Sequence, residues 1–196
     1  ISSLDKSKYQ VVLFDSAKVD NKHGIAYMAM SQFLLSLGLM NNWIGLMEYH
    51  LLLNDQYEEF LQKVEVQNDG SKWTDLRRNM MNTMRVFRKA MIAIMGEEDF
   101  KDTEKIAQER IDTYDSSKLK EDLSLYLEKH PQYKIVFFID EVSEAITQKK
   151  IDILELEGLS ESLSGLGNRV WTIGIAQQAF NDVLNASGLN KSKLEK

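Results

Sequence analysis

The chain has no cysteine, one proline and three histidines among its 196 residues. Without cysteine there are no disulfides and no thiolate metal ligands, which fits a reducing cytoplasm. His23, His50 and His130 are scattered, with no H-x-x-x-H pair, so a zinc site is not expected. Long apolar runs are missing as well. No stretch approaches the ~20 apolar residues of a membrane span, so no membrane association is expected. The first residues, Ile1-Ser-Ser-Leu-Asp-Lys6, lack the basic-then-apolar layout of a signal peptide and lack an initiating Met. That gives the expectation of a piece of a longer protein. An excess of positive charge is also absent: 24 basic against 30 acidic side chains leave a net charge of −6. The surface as a whole is therefore not a nucleic-acid footprint. What is present, 43% hydrophobic and 28% charged residues, is an ordinary globular composition with enough apolar material for a sizeable core.

Three stretches differ in periodicity. Tyr9-Gln-Val-Val-Leu-Phe-Asp15 reads as a buried strand, followed by a polar loop and a largely apolar helix from Ile25 to Leu39. From 40 to 130 the spacing is helical throughout. Asn41 or Asn42 caps a helix through Leu53, and Asn54 or Asp55 caps the next, which carries Tyr57, Phe60, Leu61 and Val64. One continuous helix is expected over Trp73–Met95, because Trp73, Leu76, Met80, Met84, Phe87, Met91 and Ile94 share a sector, with Gly96 as its stop. A piece over 102–114 and a helix led by Ser117 follow, the latter ended by His130-Pro131. From 133 strand and helix alternate again. Strands at Tyr133–Ile139 and Arg169–Ile175 flank a Leu-spaced helix through Ile153, Leu156, Leu159 and Leu163. Such a unit is right-handed with parallel strands, and its ligands sit at their carboxyl ends. The expected organisation is a partial α/β core over 1–39 and 131–196, with an all-α insertion over 40–130.

The residues with a chemical reading gather at one strand end. In Lys134-Ile-Val-Phe-Phe-Ile-Asp140-Glu141 an apolar run ends in two adjacent carboxylates. This is the form of a Walker B strand in a P-loop ATPase, with Asp140 holding Mg²⁺ and Glu141 activating the water that attacks ATP. The other reading makes Asp140 an N-cap of the following helix, with Glu141 in its first turn. Gln177, two residues past Ile175, stands where a γ-phosphate or water contact would lie, or is an ordinary polar helix start. The phosphate-binding motif G-x-x-x-x-G-K-[ST] does not occur. Arg77, Arg78, Arg85, Arg88 and Lys89 form a basic stripe. It is a solvated face, or a contact for DNA phosphates, an acidic protein surface or a neighbouring subunit's nucleotide.

The order of these parts resembles the large P-loop ATPases of bacterial BREX phage-defence systems, the BrxC/PglY family. The likeness is carried by Val136-Phe-Phe-Ile-Asp-Glu-Val142, by Leu154-Glu-Leu156 through Leu159 to Gly167, and by Val170-Trp171-Thr-Ile173 leading to Gln177. Glu48, Leu51, Tyr57, Phe60, Trp73 and Arg77 extend it into the helical stretch. The resemblance implies a P-loop NTPase-like (AAA+/ASCE) fold, ATP and Mg²⁺ as cofactors, and Asp140, Glu141 and Gln177 at the nucleotide. It further implies partner subunits in a defence complex that acts on DNA. Ile175 and Ala176 replace the family's usual Thr and Ser, and Ser143 replaces a Gly. The family's Walker A motif lies upstream of the matched region. Self-association of the chain through an open sheet edge is a further expectation.

Overall fold

The computed structural model describes residues 8–20 and 22–176. In chain order its elements are β1 (Lys8–Asp15), α1 (Gly24–Ser36), α2 (Trp43–Leu53), α3 (Tyr57–Gln67), α4 (Trp73–Leu76), α5 (Met80–Met95) and α6 (Glu97–Asp112). Then come α7 (Ser116–Lys129), β2 (Tyr133–Asp140), α8 (Val142–Thr147), α9 (Ile153–Ser164) and β3 (Val170–Gly174). Short 3-10 turns lie at Ser16–Lys18 and Gly167–Arg169. The chain divides into two compact units, Ile1–Ser36 with Thr113–Lys196, and Leu37–Asp112. The sequence spacing put the end of the helical stretch at 130, whereas α7 packs with the α/β unit.

The first unit is an α/β fold on a three-stranded parallel sheet of order β1-β2-β3. β2 is the middle strand, as its apolar run demands. The pleat sends alternate residues to opposite faces. One alternation is buried: Val12 and Phe14 on β1, Ile135, Phe137 and Ile139 on β2, Val170 on β3. The helices lie on that side, with α1 against β1, α9 against β3, and α1, α7 and α9 against one another. α1 is apolar on most of its circumference because it is buried on most of it, from Ile25 to Leu34. α9 opens with a capping box in which Asp152 accepts from the helix backbone and Glu155 reaches back. Arg169 closes the far end of the sheet. Its guanidinium donates to the carbonyls of Leu127 at 3.1 Å, His130 at 2.9 Å and Tyr133 at 2.7 Å, around the turn that Pro131 forces.

The second unit is all-helical. Phe60, Trp73, Phe87 and Phe100 pack ring against ring with Val64 and Met91 around them. Glu48 is fully buried beside this cluster and accepts from the Met40 N–H (2.8 Å), the Tyr57 hydroxyl (3.0 Å) and the Trp73 indole N–H (2.6 Å).

Three expectations about helix starts and caps change. The long helix over 73–95 is two helices, because Asn79 adopts extended backbone and turns its side chain onto the N–H of Asn82, capping α5. The helix expected from Asp102 begins directly after Gly96. Asp55 does not cap α3; it sits in a left-handed turn at φ 57°, and Gln56 holds the cap position without a side-chain bond.

Candidate functional site

Both outer strands run parallel to β2, so the carboxyl ends of all three strands point the same way. Asp140 ends the middle strand and is in register with Asp15 at the end of β1. The turn after Asp140 is held from both sides. On the β1 side the fully buried Ser16 donates its hydroxyl to the Asp140 carbonyl at 2.7 Å. On the β3 side the Ile175 N–H donates to Ile139 at 2.8 Å, and the Val142 N–H donates to the Ile175 carbonyl at 3.1 Å. Between these anchors Glu141 sits at φ 56°, ψ 32°, a left-handed conformation that an L residue adopts at a cost. Its N–H donates to Asp140 Oδ1 at 2.9 Å.

Asp140 therefore does not cap α8. The cap position belongs to Glu141, whose side chain makes no capping bond. The Asp15 carboxylate takes the Ala17 N–H at 2.9 Å and the Lys18 ammonium at 3.0 Å. Desolvation at the strand end, with Asp140, Glu144 and Asp15 close by, raises the Glu141 carboxyl above the ordinary carboxylate value. A carboxyl held upward in this way moves toward the range in which general bases operate.

Gln177 lies outside the described residues. Asp15 was missed by sequence reasoning, though a signal was present. Val11-Val-Leu-Phe-Asp15 repeats the pattern of Val136-Phe-Phe-Ile-Asp140, an apolar run ending in Asp.

Among the described residues no group of three or more His, Asp or Glu could hold a metal ion directly. The hard oxygens of Asp140 suit Mg²⁺ bound through water, the mode in which that ion keeps much of its hydration. A triphosphate fits less well, since the sequence has no Gly-rich loop to surround it.

The basic stripe does not run along one helix. Arg77 and Arg78 fall in the break between α4 and α5, where Arg77 donates to the Gly38 carbonyl at 2.7 Å and Arg78 pairs with Asp75 at 3.6 Å. Arg88 pairs with Glu104 at 3.0 Å, and Arg85 bonds the Asn82 side chain at 2.7 Å. Arg85, Arg88 and Lys89 do share the surface of α5, with Met84 and Ile92, along a shallow groove. His23 pairs with Asp20 at 2.8 Å at the rim of a pocket of about 430 Å³. The first turns of α1 and α7 and the length of α9 from Leu154 to Ser162 line that pocket, with Asp115 and Glu155 among the side chains. Among the described residues no helix is long and apolar enough to cross a membrane. Comparison with protein-family models, curated proteins and solved structures returns no match.

Proposed function

We propose that the carboxyl edge of the sheet is the metal- and water-directing half of an ATPase site, with Asp140 binding Mg²⁺ through water and Glu141 as the base. One observation carries the reading. The Asp-Glu pair ends the middle strand of a parallel sheet, where α/β folds place their ligands. The left-handed turn supports it further, because strain of this kind gathers at functional positions. Glu141, raised by its surroundings, takes a proton from water more readily than an ordinary carboxylate; Mg²⁺, when bound, supplies charge for the phosphates. The resemblance to BREX ATPases extends the proposal. ATP turnover would drive conformational change in a multi-subunit complex acting on DNA, with Gln177 contacting phosphate or water and Arg85, Arg88 and Lys89 contacting a partner.

This chain alone carries no phosphate-binding loop, so labelled ATP titrated into it should bind no more tightly than about 100 µM. Micromolar affinity would contradict that. In a longer protein with the loop, Glu141→Gln should retain ATP binding and lose about 10²–10⁴-fold in turnover, the usual contribution of a positioned base. Turnover at the unaltered rate would remove Glu141 from the chemistry. A second reading, a non-catalytic interaction module on a degenerate nucleotide fold, is favoured by one feature of the same sheet: among the described residues no helix lies on its second face.

A further inference from the structure

The sheet has two faces, and among the described residues the helices cover only one. On the other, the register aligns the side chains in four rows. Tyr9 and Lys134 form the first, Val11, Val136 and Trp171 the second, and Leu13, Phe138 and Ile173 the third. The fourth is Asp15 and Asp140, with Ile175 just beyond the end of β3. The apolar outer-strand members are well exposed, from 38% at Trp171 to 63% at Leu13, and Asp15 is half-buried. Lys134 lies over the rings of Tyr9 and Trp171 at 5.8 and 5.7 Å. All-parallel sheets are ordinarily covered on both faces, so an apolar face of this kind is a surface waiting for a partner. Both crossovers between these strands belong on the helical side, since sequential right-handed connections in one direction stay on one face.

The rows have a second property: they run from positive through apolar to negative. A two-fold axis lying between two such faces, perpendicular to the strands, sets β2 of one copy antiparallel over β2 of the other. The first row of each copy then meets the fourth row of its partner, and the apolar rows meet each other. Lys134 of one copy comes over Asp15 and Asp140 of the second, and the reverse, as an isologous interface requires. Sheets packed face to face sit ~10 Å apart, within reach of a lysine and an aspartate side chain together.

We infer that this face is a homodimer interface, sheet against sheet, with Lys134 paired across it to Asp15 and Asp140. With strands about 4.8 Å apart and same-face residues about 6.6 Å apart, four rows on three strands present roughly 400 Å² per copy. A standard stable interface buries about 800 Å² per partner, so the dimer is reversible. The inference does not depend on the nucleotide reading, because it rests on the register and charge of the face alone.

Sedimentation analysis of the chain over a range of concentrations tests it. The expected result is a monomer–dimer equilibrium that Leu13→Lys weakens at least tenfold. Lys134→Glu makes both charged rows negative, and Asp15→Lys with Asp140→Lys makes both positive. Each variant should be monomeric alone, and mixing the two should restore a dimer. Circular dichroism checks that each remains folded, and Leu13→Lys at an exposed position serves should a charge variant not fold. A monomer at every concentration overturns the inference. So does a dimer that survives Leu13→Lys, which would place the contact elsewhere, such as on the outer edge of β3. Charge variants that fold but show no recovery on mixing also overturn it.

Discussion

Glu141 combines a backbone that favours glycine with a side chain whose carboxyl is raised by its neighbours. Glu141→Gly should relieve the left-handed strain and the crowding of acids together. The melting temperature should then rise by a few degrees, about 2–4 °C, read by calorimetry. A fall would mean that the carboxylate helps hold the turn. Glu48 presents the opposite case, an acid built into a core. Burial is the largest influence on it and raises its pKa above 4.5, against the three donors that bond it. The folded state thus keeps the Glu48 proton more tightly than the unfolded chain does. This contribution to stability is complete below about pH 4.5 and is lost as pH rises through the elevated folded value. Glu48→Gln should abolish that dependence. It should also cost about 1–3 kcal/mol, because an amide NH₂ on one side faces either the Met40 N–H or the Trp73 and Tyr57 donors. Urea denaturation of both proteins between pH 4 and 8 reads the two effects. Parallel pH profiles would show that Glu48 does not titrate in this range.

At the scale of elements, apolar spacing and punctuation made most of the helices and all three strands legible. β2 is a continuous apolar run and is the central strand; His130-Pro131 ends α7 and Gly165 follows α9. Asp140 and Glu141 were legible because both lie at a strand end that the run itself defines. Asp15 was overlooked because its partnership with Asp140 spans 125 positions and exists only through sheet register. The division between α4 and α5 was hidden for another reason. The apolar period continues through 73–95, and the break is made by a polar side chain competing with the backbone at Asn79. That competition can be tested directly. Asn79→Ala removes the bond to the Asn82 N–H and should cost about 1 kcal/mol by urea denaturation. A neutral result would mean that packing, rather than the cap, sets where α5 begins.

At the scale of the whole molecule, the described residues form two cores, one in each unit. One is the helical side of the sheet, with Val12, Phe14, Ile135, Phe137 and Ile139 buried on it, α1 and α9 against the strands, and α7 against those two helices. The other is the aromatic cluster of Phe60, Trp73, Phe87 and Phe100. Phe87 is fully buried and touches Trp43, Phe60, Trp73 and Phe100, so no neighbour can collapse into its place without displacing another ring. Truncating such a ring costs about 3–5 kcal/mol, a large share of the stability of a domain this small. The register that positions Asp140, by contrast, depends on the β1-β2-β3 ladders, on Ser16 and on Arg169, all within the first unit. Phe87→Ala should therefore unfold the helical unit at lower urea, seen as a red shift of Trp43 and Trp73 emission. The amides of Val136 to Ile139 should keep their protection from hydrogen exchange under the same conditions. Loss of that protection in step with the fluorescence change would mean that both cores fold as one cooperative body. The acids at the sheet's carboxyl edge would then depend on the aromatic cluster for their geometry.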